Sequence, residues 1–305
     1  MITIIGILIA LLLPAVQAAR ESARKMQCAN NVKQMALACL SHENATHYLP
    51  CNGWGYHWLG EPDRGVGVLQ PGGWSYNILP QLEQQNLHDL GSGTTGTTLY
   101  SSLGQLFMTP LAVYNCPSRR PLGIYTVTPS ANDVYNCISV TLAARIDYGI
   151  NAGDQSTNQD PGPSDYTDGD NLNWSGWLPQ SEFTGISFQR SRVAIANITD
   201  GTSNTYLVGE AAKMPDDYYN GEGNDDNHGP YTAFEDDSSR ITSVLPVQDT
   251  PGFATDKQFG SVHAGSFNMG FCDGSTRAIS YGIDPLTHDH LGNRADGAPI
   301  DATKY

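Results

Sequence analysis

Acidic side chains supply the densest candidate chemistry in this sequence. Asp165, Asp168 and Asp170 fall within six residues of one another, and a second group runs from Asp216 and Asp217 through Glu222 to Asp225 and Asp226. Carboxylate oxygens at such density in flexible loops are what Ca²⁺ takes, roughly six to eight at a time. Neither run has the spacing of an EF-hand loop. Two readings therefore stand: a calcium site using Asp165, Asp168, Asp170, Asp225 and Asp226, or two solvated acidic loops. The second is the plainer and is preferred.

A second candidate lies near the C-terminus, where nine residues separate His263 from Asp273-Gly274. As chemistry the pair offers a catalytic or metal-binding dyad; as structure, Asp-Gly is a tight hairpin turn and His263 a hydrogen-bonding residue at a strand end. The turn alone accounts for Asp273 and Gly274, so the structural reading is preferred. His288 and His290, with Asp284 and Asp289, make a weaker cluster of the same kind. The aromatic group Trp54, Tyr56, His57, Trp58, Trp74 and Tyr76 suits either a glycan-binding surface or core packing, and core packing is preferred.

Six cysteines (Cys28, Cys39, Cys51, Cys116, Cys137 and Cys272) suit an oxidising compartment without fixing any pairing. Cys28 and Cys39 lie about 16 Å apart along one helix and cannot bond each other. The absence of any Cys-x-x-Cys spacing weighs against a structural zinc site. No nucleophile elbow, phosphate loop or His-Glu-x-x-His helix occurs, so the chain is not expected to be an enzyme, and no cofactor is required.

These residues need a scaffold, and the composition limits which one. Among 305 residues, 32 Gly and 18 Pro rule out an all-helical protein and imply many turns. Sixteen bases against 31 acids argue against nucleic acid as a partner. Short β-rich runs recur at residues 111–114, 138–142, 192–195, 204–208 and 266–271, and a helix is expected over 74–90. Phe267, Met269 and Phe271 alternate ahead of the Asp273-Gly274 turn, which predicts a terminal hairpin. The expected fold class is α+β, with an antiparallel sheet packed on a long N-terminal helix.

That helix is the most distinctive element. Residues 2–19 carry no charge, about the shortest run that spans a hydrocarbon core, with Ile4, Ile7, Leu8, Leu11, Leu12 and Pro14 among them. Past Arg20 the apolar residues continue on one side only, through Cys28, Val32, Met35, Ala36, Cys39 and Leu40. The chain divides into an N-terminal transmembrane or assembly helix, 1–45, and an acidic β-rich head, 46–305. The head holds 12 of the 16 bases and 29 of the 31 acids, a net charge of −17. A buried core helix, a cleaved signal peptide, a plain membrane anchor and a filament-type helix compete for the first segment.

Residues 5–24, followed by 28–34, resemble the N-terminal helix of type IV pilin-like and pseudopilin proteins. Within these the chain closely resembles the group carrying the domain of unknown function 1559, whose members end in a His, nine residues, Asp-Gly motif met here by His263, Asp273 and Gly274. Segments 73–84, 115–118, 147–153 and 198–210 extend the resemblance in order along the head. It implies a structural subunit anchored in the inner membrane, with an extracytoplasmic head that is periplasmic or at the cell surface. Such a subunit self-associates through its helix and is assembled by secretion or pilus-type machinery. The alternative is an anchored binding module for calcium or glycan. The sequence departs from the family in beginning inside the apolar run, without a basic leader, a cleavage-site Gly or a Glu at the fifth mature position; a misplaced start codon is the expected cause.

Overall fold

The computed structural model of the chain describes residues 2–128, 133–255 and 257–304; along 2–11 and at 302 it describes the backbone alone. Helix α1 runs unbroken over Ile2–Thr46, through Pro14, whose missing N–H removes one backbone bond. At about 1.5 Å per residue it is ~68 Å long, longer than the head can bury. Ile4, Ile7, Leu8 and Leu11 have side chains outside the described residues, while Leu12, Leu13 and Val16 are exposed. Among the described residues no helix is long and apolar enough to cross a membrane.

Further along α1 the environment changes within two turns. Cys28, Val32, Met35, Ala36 and Cys39 are fully buried, at the three- and four-residue spacing of one helical stripe. Residues 28–46 thus belong to the head's own core, whatever the fate of the segment before them.

The expected helix over 74–90 is broken into α2 (Trp74–Asn77), a 3-10 turn (Pro80–Leu82) and α3 (Gln85–His88). Pro80 cannot donate a helical hydrogen bond, and Glu83 sits in left-handed geometry at φ 61°. Helix α4 (Gly96–Phe107) then packs Leu99, Leu103, Leu106 and Phe107 inward. Strands β1 (Tyr125–Thr126) and β2 (Leu142–Ala143) form a separate two-stranded ladder. The expected strand at 138–142 therefore survives only at Leu142. Two other expected strands are absent: 111–114 holds a 3-10 turn (Ala112–Tyr114), and 192–195 leads into another (Ile195–Asn197). Each run buries one side chain, Tyr114 or Val193, without joining a ladder, and periodicity cannot separate this outcome from a strand.

The main sheet contains β3 (Tyr148–Gly153), β4 (Tyr206–Glu210), β5 (Ser239–Ile241), β8 (Ser266–Phe271) and β9 (Thr276–Ser280), in the order β5-β3-β4-β8-β9. It is antiparallel except at its edge, where β5 runs parallel to β3. Between them in sequence lie α5 (Tyr166–Asp170), and a small parallel pair, β6 (Val247–Gln248) with β7 (Gly260–Ser261); α6 (Pro285–Gly292) follows.

The terminal hairpin forms as expected. Asp273 Oδ1 accepts from the Ser275 amide at 2.8 Å, and Gly274 adopts φ 80°. Phe267, Met269 and Phe271 face away from α1, into a cluster with Tyr206, Phe259, Ile279 and Leu291. The opposite face carries Gly270 and Cys272 toward α1. A Cβ at Gly270 would lie 3.2 Å from both Ala36 Cβ and Val32 Cγ1, so glycine lets the helix sit directly on β8. The α+β architecture is a sheet covered on one face by α1 and on the other by the C-terminal cluster.

This packing separates two methionines of α1. Met35→Ala is expected to lower stability by about 2–5 kcal/mol, as core methionine deletions do, and Met26→Ala by at most ~0.5 kcal/mol. Denaturant titration of both variants checks the difference.

Candidate metal centre

Where α1 enters the head, four segments distant in sequence bring their side chains together. Glu21 and Cys28, seven residues apart, fall on one side of α1 two turns from each other. Cys116 lies in the loop after the Ala112–Tyr114 turn, held by its backbone N–H, which donates to Asp147 Oδ2 at 2.6 Å. Glu210 ends β4 two residues beyond Val208, which puts it on the face that α1 covers. His263 stands between β7 and β8, where Tyr281 Oη donates to its carbonyl at 3.1 Å.

One ligand atom from each of Cys28, Cys116, Glu210 and His263 lies within 4.8 Å of all the others, and all four residues are buried. Cys28 Sγ is 3.1 Å from Cys116 Sγ, Cys116 Sγ is 4.0 Å from His263 Nε2, and His263 Nε2 is 3.3 Å from Glu210 Oε1. The six cysteines are all free thiols. Glu210 Oε2 accepts from the Asn268 amide at 2.7 Å and from Asn268 Nδ2 at 2.9 Å, whereas the buried Oε1 is directed at His263. Outside the four, Glu21 Oε1 lies 2.9 Å from His263 Nδ1 and accepts from Ser118 Oγ, also at 2.9 Å, while Arg24 donates to Glu21 Oε2 at 2.7 Å.

The charges support one another. The hydrogen bond with Cys28 lowers the Cys116 thiol to about 6 against the effect of burial, with His263 and the Arg119 charge adding to it. Burial disfavours a charged His263, but its bonds to Cys116 and Glu210 outweigh that and raise it to about 10. Chemically the group offers two sulfurs, an imidazole nitrogen and a carboxylate oxygen: either a thiolate–imidazolium pair or a ligand set for a soft metal.

A family model described as protein of unknown function (DUF1559) matches residues 17–286, a span that contains all five of these side chains. The chain belongs to this family. No curated protein and no solved structure matches.

The remaining candidates fall in separate places. Asp273 forms the hairpin turn and is exposed, so it is not a partner of His263; the histidine reaches Cys116, Glu210 and Glu21 instead. Asp165 caps α5, accepting from the Asp168 amide at 3.0 Å, and Asp170 pairs with Arg64. Asp225 and Asp226 are buried rather than in a solvated loop. Asp226 binds Arg120 and lies 3.7 Å from Lys213 Nζ, and Asp225 Oδ2 accepts from Thr255 at 2.9 Å. Burial pushes Asp225 up to about 6. These five carboxylates fall in neither group of converging metal-ligand side chains found among the described residues; the second such group is His228, Glu235 and Asp237. Trp54, Trp58, Trp74 and Tyr76 are core residues, with Trp54 and Trp58 in edge contact at 4.8 Å.

Cys-x-x-Cys spacing bears only on sites built within one turn. The four side chains here come from four segments that only the folded sheet and helix bring together.

His288 and His290 lie on α6 and diverge: His290 pairs with Asp296 at 2.6 Å, while His288 is buried against Tyr206 and Phe259. Burial depresses His288 to about 3. A histidine held neutral in the fold but titrating near 6.5 when unfolded stabilises the protein above that pH, and the contribution is lost on acidification toward 3. The stability gap between wild type and His288→Gln is therefore expected to shrink by about 2 kcal/mol from pH 8 to pH 5. Urea unfolding at both pH values measures it.

Proposed function

We propose that this protein is a pilin-like structural subunit, anchored in a membrane through the first half of α1 and assembled with copies of itself by packing those helices. The observation that carries this reading is the division of α1. Its second half is bound into the head's core, whereas Leu12, Leu13 and Val16 are uncovered and continue an uncharged run from residue 2. Apolar side chains around a projecting helix need a lipid or protein environment, since water solvates them at a cost of about 25 cal/mol per Å². Packing against neighbouring helices also compensates for the backbone bond lost at Pro14.

In this reading the head carries the acidic charge and faces the extracytoplasmic side, and secretion or pilus-type machinery performs the assembly. The family resemblance of residues 5–34 supports it, with helix packing in place of catalysis. Electron microscopy of native material tests it: helical filaments with the helices bundled at the centre are expected. Monodisperse monomers in detergent would favour an anchored binding module instead. Leu12→Asp with Leu13→Asp places two charges in the apolar stretch, at about 2.5–3.5 kcal/mol each against insertion. It is expected to abolish membrane association and filaments while leaving the melting temperature of the head unchanged.

A further inference from the structure

We propose that Cys28, Cys116, Glu210 and His263 bind one zinc ion, a structural centre that fastens α1 to the head. The inference stands on the four side chains and on the Glu21 carboxylate behind His263, and is independent of whether the protein forms filaments.

Zinc takes thiolate, imidazole and carboxylate ligands at ~2.3 Å to sulfur and ~2.0–2.2 Å to nitrogen and oxygen. The edges of such a tetrahedron come to roughly 3.3–3.8 Å. Of the edges here, nitrogen to oxygen at 3.3 Å fits as it stands, while the ion would draw the sulfurs apart from 3.1 Å and bring His263 Nε2 closer to Cys116 Sγ than 4.0 Å. Two sulfurs exclude Ca²⁺ and Mg²⁺, which take oxygen.

Two features point to a cation independently of the convergence. Glu210 is 1% exposed, its Oε2 is held by two donors from Asn268, and its Oε1 is left facing His263 Nε2 at 3.3 Å. A buried carboxylate oxygen so fixed, facing a nitrogen and two sulfurs, is oriented as a ligand. Glu21 then supplies what metal-bound histidines usually have, a carboxylate on the other ring nitrogen. A carboxylate only accepts, so it holds the proton on Nδ1 and turns the Nε2 lone pair toward the site.

On binding, Zn²⁺ displaces the Cys28 thiol proton and the one proton held between Cys116 and His263 Nε2, and takes two thiolates, the Glu210 carboxylate and neutral His263. The protons pass to solvent, and no electrons move. Four protein ligands leave no open position, the mark of a structural rather than a catalytic site. One ligand comes from α1 and three from the head, so the ion would cross-link the rod to the sheet at the point where α1 leaves the core.

The experiment uses the full chain, purified in detergent under reducing conditions without added metal, with zinc measured by elemental analysis. One zinc per chain is expected, released by a mercurial thiol reagent, and Co²⁺ in its place should give tetrahedral d–d bands with thiolate charge transfer. Cys116→Ser and Glu210→Gln should each lose most of the metal. Glu21→Gln, a change at a positioning residue, should keep one zinc per chain but bind it about 10–100-fold more weakly. Should the ligand variants fail to fold, the wild-type metal content and cobalt spectrum decide. A wild-type protein without zinc after reconstitution with zinc chloride overturns the proposal. So does native protein with Cys28 and Cys116 joined in one disulfide-linked peptide.

Discussion

Val32 and Ala36 of α1 rest on the backbone of β8 at Gly270, where even a Cβ would stand only 3.2 Å from each. No side chain on the strand separates helix from sheet, and the neighbouring helix residues Met35 and Cys39 fill the adjoining core without exposure. Each such buried apolar side chain stabilises the fold by about 1.5–3 kcal/mol. Polar ties reinforce the seat: Lys33 Nζ donates to the Gly274 carbonyl and Lys25 Nζ to Ser266 Oγ, both at 2.7 Å, and Asn31 Nδ2 to Tyr148 Oη at 3.0 Å. The head thus has no complete core without residues 28–46.

The same seat fixes the environment of the four-ligand cluster. Cys28 is one helical turn before Val32, so the register that places Val32 on Gly270 also delivers the thiol to Cys116. Behind Cys116 the chain turns into a buried ionic network. Arg119 and Arg120 share Asp147, at 3.0 and 2.7 Å, and reach Asp249 and Asp226 respectively. Buried charges of this kind stabilise little by themselves but are costly to break singly. Their effect here is to hold a loop without regular secondary structure in one conformation, and with it the Cys116 side chain.

Much of this architecture was legible in the sequence where the pattern was local and long. The amphipathic stripe after Arg20, the strand at 266–271 and the Asp273-Gly274 turn are each set by neighbours in the chain. The helix at 74–90 failed because Pro80 and the left-handed Glu83 interrupt a sound apolar pattern, and the runs at 111–114 and 192–195 failed because a turn anchored by one buried side chain, Tyr114 or Val193, looks like a strand in composition. The site was the least legible part. His263 read as a hydrogen bonder at a strand end, which it is, and Glu210 was only the last residue of the 198–210 segment; their meeting depends on β4 lying beside β8 and on α1 crossing them. Asp225 and Asp226 looked like solvated carboxylates because their buried partners, Thr255 for Asp225 and Arg120 and Lys213 for Asp226, are distant in sequence or separated by a loop.

Residues 12–20 of the rod are uncovered while the residues after Cys28 complete a globular core, and the proposed zinc centre sits where the two meet. Whether α1 is truly inseparable from the head is tested most directly by native-state hydrogen exchange on the full chain in detergent. The amides of residues 32–40 are expected to exchange only with global unfolding, as slowly as those of Ile150 and Val208 in the central strands. Fast exchange across 32–40, with the sheet still protected, would show a detachable helix and contradict the account.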